Sequence, residues 1–169
     1  IVKYNELGAN AGLLPMGTNE KYFRPLPSFE KHKTDVLIIG RAHPNRIEYV
    51  KAITERFDTR VYGEGWEDYG ISSFGTIYGD ETMHALNSAK IVPVFLNNPT
   101  RESMYVKTSI LDFPASGALL ITNYLKDVET YLSFGKEVIG FTTKDDLISK
   151  IEYYLSNPEE AEAIRKAGH

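Results

Sequence analysis

The sequence predicts an α/β protein built on an open parallel sheet with helices on both faces. Three observations carry that expectation. Strand-length apolar runs alternate with helix-length amphipathic runs about five times between Thr34 and Ser156. The first two apolar runs each end in glycine, at Gly40 and Gly63, where a strand turns into a helix or loop. Hydrophobic content of 42% and charged content of 25% are those of an ordinary globular domain with enough apolar residues to fill such a sheet.

The elements follow in order. "TDVLIIG" (Thr34–Gly40) reads as a buried strand. "NRIEYVKAITERF" (Asn45–Phe57) sets Ile47, Val50, Ile53, Thr54 and Phe57 on one helical face. "TRVYG" (Thr59–Gly63) is a short strand. "DETMHALNSAK" (Asp80–Lys90) is a helix with Asp80 as its N-cap. "IVPVFL" (Ile91–Leu96) is a strand whose Pro93 lacks a ladder donor, which argues for an edge position or a bulge. A helix over Tyr105–Ala115, starting its polar approach near Ser103, leads into the strand "ALLIT" (Ala118–Thr122). "YLKDVETYLS" is expected as helix, "EVIGFT" (Glu137–Thr142) as strand and "KDDLISKIEYYLS" (Lys144–Ser156) as helix. A last helix follows Asn157, with Pro158 at its first position.

Composition removes several function classes. Net charge is −4, so no global basic field draws the chain to nucleic acid. No apolar run approaches the ~20 residues of a membrane span. With no cysteine, disulfides and thiolate zinc sites are excluded. The sequence opens on Ile1 rather than Met and stops in a charged helical stretch, and it reads as a piece of a longer protein.

In an open parallel sheet, ligands bind beyond the carboxyl ends of the strands, so the strand-to-helix turns are where function is expected. The first turn, "GRAHPNR", places Gly40, Arg41 and Arg46 at the start of a helix. Free N–H groups there favour an anion, and guanidinium groups fork onto phosphate oxygens. The same residues also fit a solvated turn with two surface arginines, and the dinucleotide fingerprint is missing. His43 has no partner at ligand spacing and reads as a turn histidine. The second turn, "GEGWEDYG" (Gly63–Gly70), holds the single tryptophan, Trp66, which fits a plug at the domain edge; Trp66 or Tyr69 as a stacking face for a base is the alternative. The stretch onward to Asp80, with Tyr78, suits a loop that wraps a ligand. The third turn, polar from Asn97 to Ser109, offers Ser103, Lys107 and Thr108 to phosphates. Asp112 follows in the helix, where a half-buried carboxylate needs polar company. A ribose diol would supply it, and so would a local cap or ion pair.

A family resemblance then becomes specific. The residues that carry it are "LPMGTNEKYFRP" (Leu14–Pro25), "DVLIIG" followed by Arg46, "YGEGW" (Tyr62–Trp66), "LDFPASGALLIT" (Leu111–Thr122) and the long tail from Phe134 to Gly168. Together they resemble the C-terminal domain of a GT-B glycosyltransferase of the CgeB-like (spore maturation protein) group. The resemblance implies a Rossmann-like domain over residues 34–169 that binds a nucleotide diphosphate sugar, with residues 1–33 as a linker from an N-terminal acceptor domain. It implies donor contacts from Gly40, Arg41, Arg46, Tyr78, Ser103, Lys107, Ser109 and Asp112. Asp112 falls on the family's ribose-binding acidic residue, usually Glu, so its reach is one methylene shorter. Ser109 stands where the group often has Arg, with Lys107 as the substitute. Arg46 falls on a basic residue that meets the diphosphate. No metal and no separate cofactor are implied, the base is expected from the missing domain, the acceptor is undefined, and the location is cytoplasmic. Two other readings stay open. One is a GT-B-derived binding or structural module that has lost the donor site, favoured by Ser109 and Asp112. The other is a nucleotide-sugar epimerase, against which the tail from Phe134 argues.

Overall fold

The computed structural model describes residues 2–12, 14–98 and 103–169. After a short helix α1 (Val2–Glu6), the described residues of the lead-in have no further helix or strand until a 3-10 turn at Glu30–His32. The sheet strands are β1 (Thr34–Ile39), β2 (Thr59–Tyr62), β3 (Ala89–Val94), β4 (Leu120–Asn123) and β5 (Ile139–Phe141). The helices are α2 (Pro44–Thr54), α3 (Asp80–Ser88), α4 (Ser109–Ala115), α5 (Lys144–Ser156) and α6 (Pro158–Gly168). All pairings are parallel and the strand order is β2-β1-β3-β4-β5. The order reverses between β1 and β3, so the switch point where such sheets bind ligands lies between the ends of those two strands.

Both faces of the sheet are apolar, as a parallel sheet requires. Val36, Ile38, Ile91, Ile121 and Phe141 meet Ile47, Val50 and Ile53 of α2 and Leu147 and Ile151 of α5. On the other face Leu37 and Val92 meet Met83 and Leu86 of α3, while Val94 and Leu120 meet Ile110 of α4. The 3.6-residue spacing of Ile47, Val50 and Ile53 is what turns that helix inward. Helix α5 is capped by Thr143, whose hydroxyl accepts from the Asp146 N–H at 3.1 Å, while the Asp146 carboxylate accepts from the Thr142 N–H at 2.9 Å.

Pro93 corrects an expectation. It sits in the central strand, not at an edge, and pairs with Ile121 of β4. In a parallel ladder alternate residues bond to alternate neighbours, and the Val92 N–H serves β4 through Leu119. The side of Pro93 that lacks an N–H therefore faces β1. The β1–β3 ladder ends at Val36↔Ile91, one pair before Pro93 would be needed. The proline is tolerated because its missing N–H falls beyond the last hydrogen-bonded pair of that ladder, on the side of the switch point.

Three further elements differ from expectation. The third helix takes Gly79 as its N-cap, with Asp80 its first helical residue and no side-chain cap bond. The helix expected from Tyr105 starts only at Ser109, because the chain before it is held extended along the end of β3: the Tyr105 N–H donates to the Leu96 carbonyl and the Asn98 N–H to that of Ser103. Ser103 is thus not at a helix N-terminus. The stretch expected as helix from Tyr124 to Ser133 forms only a 3-10 turn at Lys126–Thr130, with Val128 and Leu132 buried and Leu125 and Tyr131 packed partly against the same core.

The lead-in is tied to the domain. Phe23 and Leu26 pack against the Leu37–Met83 core. The Phe29 ring stacks on His84 at 3.9 Å. Buried His32 bridges the Tyr62 hydroxyl (2.8 Å) and Glu81 (3.0 Å), and burial lowers its pKa.

Candidate anion site at the carboxyl edge

The turn after β1 and the turn after β2 fit into each other. Gly63 has φ +135°, and a Cβ there would lie 2.2 Å from the Gly40 carbonyl oxygen. Gly40 has φ +121°, a backbone conformation that side chains rarely adopt. The Gly40 carbonyl accepts from Trp66 Nε1 at 2.9 Å, and Trp66 is fully buried. Trp66 is therefore the plug of the two readings, and no face of it is open to a base. Its ring instead floors the site, with the Arg46 guanidinium 5.4 Å above the ring centre.

Arg46 is the unusual group. Its buried Nε has no hydrogen-bond partner, and among the described residues no carboxylate pairs with it. Burial pushes its pKa down to about 10. Lys107 lies close by: its Nζ donates to the carbonyls of Phe95 (2.5 Å) and Asn97 (3.3 Å) at the end of β3. Burial first, then the charge of Arg46, lower its pKa to about 8. Burial and the cations Arg46, Lys107 and Arg41 hold His43 below its ordinary value. Two half-buried cations that repel each other, with no anion between them among the described residues, describe a place that a ligand's negative charge would stabilise.

Asparagines build the walls. Asn45 of α2 donates to the Asn98 carbonyl at 2.7 Å, and Asn123 accepts from the Leu96 N–H at 2.8 Å. The buried Asn97 Oδ1 has no partner. Beside this cluster a cleft of about 320 Å³ opens between Gly40, Arg41, Gly63, Glu64, Ile77 and Tyr78. A larger cavity of about 440 Å³ lies at the opposite, amino edge. Its cations are already paired, Lys90 with Asp35 (2.7 Å) and Arg165 with Glu162 (2.6 Å), so volume alone does not choose the site.

The expected residues divide into groups. Gly40, Arg46 and Lys107 come together. Arg41 and Tyr78 line the adjoining cleft, but Arg41 is exposed and ion-paired with Glu64 at 2.5 Å, which raises its pKa. Ser109 opens α4, and Ser103 is exposed on the return segment. Asp112 is one turn into α4, half-buried, and its Oδ1 accepts from the Thr18 hydroxyl at 2.7 Å. Arg101, within the expected third turn, lies outside the described residues. Sequence reasoning did not single out Asn45, Glu64, Asn123 or Thr18; only the strand-end position of Asn123 carried a signal. Among the described residues no cluster of three His, Asp or Glu side chains could hold a metal ion. No described helix is long and apolar enough to cross a membrane.

An open five-stranded parallel sheet, with cations at its switch point that have no carboxylate partner among the described residues, is an α/β architecture of the kind that binds ligands at that edge. Residues 45–169 match the family described as glycosyl transferase-like, and the chain belongs to that family. It is 25% identical over 188 residues to spore protein CgeB of Bacillus subtilis (strain 168), an alignment covering 98% of this chain and 57% of that protein. Among solved structures it is similar to sucrose-phosphate synthase from Thermosynechococcus elongatus (TM-score 0.68, 16% identity, 99% of this chain, 49% of that chain). It is likewise similar to Anabaena Alr3699/HepE in complex with UDP and glucose (TM-score 0.63, 10% identity, 90% of this chain, 49% of that chain). These structural likenesses establish the fold, that of one half of a GT-B enzyme. The chain spans little more than half the length of the curated relative and about half of these structures.

Proposed function

We propose that this chain is the donor-binding half of a glycosyltransferase that holds a nucleotide diphosphate sugar for transfer to an acceptor hydroxyl. The observation that carries the reading is Arg46: a half-buried guanidinium with a bare Nε, beside a second half-buried cation, Lys107. HepE, of the same fold, has been solved with UDP and glucose. In this proposal Arg46 and Lys107 grip the diphosphate, and the α2 N-terminus adds positive potential. Sugar transfer leaves negative charge on the departing diphosphate. Fixed cations in a water-poor site stabilise that charge more than water would, and without reorganising. Protein cations do this in place of a metal. Asp112 accepts from the ribose diol, and Tyr78 and the Gly63–Glu64 turn border the nucleoside side of the cleft. Residues 1–33 lead in from an acceptor-binding domain that supplies the base, so the 169-residue chain alone binds donor without turning it over. The setting is cytoplasmic.

A module that keeps the fold without the donor is the second reading, favoured by the Arg41–Glu64 pair and by Ser109 at the start of α4. Calorimetric titration with UDP, GDP and their glucose or mannose conjugates separates the two. Binding of one nucleotide series, weakened by about 1–3 kcal/mol in Asp112→Asn, is the expected result. No binding by any of them leaves the module.

A further inference from the structure

We propose that Thr18, in the lead-in, is a positioning residue of the nucleotide site that orients the Asp112 carboxylate for a ribose diol. The inference rests on the reading of Asp112 given above. A carboxylate on a short side chain rotates broadly about its last torsion. The Thr18 hydroxyl donates to Oδ1 at 2.7 Å, which fixes the plane of the group. Among the described residues nothing donates to Oδ2, so that oxygen is left for a ligand's O–H. A hydroxyl suits this task better than a cation. It orients the carboxylate without neutralising it, so the remaining oxygen keeps its strength as an acceptor.

Thr18 is not a loose surface contact. Just before it, the Met16 N–H donates to the Tyr131 hydroxyl at 3.2 Å. After it, Phe23 packs into the Leu37–Met83 core, and Pro25 lies against Gly117, within 3.6 Å of where a Cβ on that glycine would stand. The lead-in is thus clamped on both sides of Thr18 and holds its hydroxyl at one height on α4. Asp112 sits about 6 Å of helix rise beyond Thr108, at the reach of a nucleoside whose phosphates lie at Lys107. On this account the lead-in is a working part of the site, and the shorter Asp is serviceable because Thr18 holds it.

The test compares UDP and GDP with their 2′,3′-dideoxy counterparts by calorimetry on wild type, Thr18→Val, Thr18→Ser and Asp112→Asn. Thr18→Val keeps the shape and removes the donor. It should lower affinity for the ribonucleotide about five- to tenfold and leave the dideoxy affinity as in wild type. Thr18→Ser should bind within about twofold of wild type, since the hydroxyl remains. Should Thr18→Val not fold, Thr18→Ala against Thr18→Ser makes the same comparison. Equal ribonucleotide affinity in wild type and Thr18→Val, with Asp112→Asn still weakened, overturns the role of Thr18 alone. An equal loss for ribo and dideoxy ligands also overturns it, since that marks a structural effect. No binding by wild type, or an Asp112→Asn that binds as wild type, overturns both this inference and the reading beneath it.

Discussion

Two partly buried arginines, Arg46 the deeper, stand at opposite edges of the sheet, and their surroundings differ completely. Arg165 of α6, at the amino edge, forks onto Glu162 at 2.6 and 2.7 Å and donates to the Gly117 carbonyl at 2.8 Å. The Glu162 hydrogen bonds raise its pKa in spite of burial. Arg46, at the carboxyl edge, has a bare Nε, a tryptophan beneath it and a lysine for a neighbour, and its pKa falls to about 10. Folding alone explains the first arrangement: burial is offset by three hydrogen bonds. Folding alone does not explain the second, since a leucine or methionine in that position would cost less. The difference teaches that, among the described residues, Arg46 has the burial of a structural arginine without its partners, which is what the proposed diphosphate contact would supply.

The comparison can be broken most violently through the turn that shapes the carboxyl edge. Gly63→Ala would drive a Cβ into the Gly40 carbonyl at 2.2 Å, on a backbone with φ +135°. The expected cost is about 3 kcal/mol or more, with both turns displaced. A denaturant melt measures it, and a loss below about 1 kcal/mol would show that the interlock of the two turns is soft.

A change of pH sharpens the contrast next. Lys107 in the fold titrates at about 8 and in the unfolded chain near its ordinary 10.5. Between those values the unfolded state holds the extra proton, so this group makes the fold more stable as pH rises through that window. Diphosphate binding has the opposite dependence, because it needs the charge. Affinity should fall about tenfold between pH 7 and pH 9.5, and a bound anion should cancel the stability gain. Calorimetry and melting curves across that range check both signs.

The smallest effect is expected at the other edge. Arg165→Met removes paired hydrogen bonds that are partly solvent-screened. It should lower stability by about 1 kcal/mol and leave nucleotide affinity unchanged.

How much of this was legible beforehand follows from the range of each interaction. The strands and α5 were readable because their signals are local: apolar runs and a helical stripe. Arg46 and Lys107 were readable as residues of strand-end turns, since topology sends those turns to one edge. The late start of α4 was not, because Leu96 and Asn98 hold Tyr105 and Ser103 through backbone hydrogen bonds, which leave no side-chain pattern to read. Pro93 misled for a related reason. Its cost depends on which neighbour its N–H would face, and that is fixed only by the register of two other strands. The Thr18–Asp112 and Arg41–Glu64 pairs join residues 94 and 23 positions apart, with no pattern to announce them.

The most direct measurement pairs affinity with stability in a single variant, Arg46→Met. If Arg46 exists to hold a diphosphate, the variant should melt no lower than wild type, because a desolvated cation has been replaced by an apolar chain of similar length. Its affinity for UDP or GDP, whichever wild type prefers, should fall by about 1.5–3 kcal/mol, the value of hydrogen bonds to a charged group. A variant that melts several degrees lower and binds nucleotide as wild type does would contradict the account, and would make Arg46 a structural residue like Arg165.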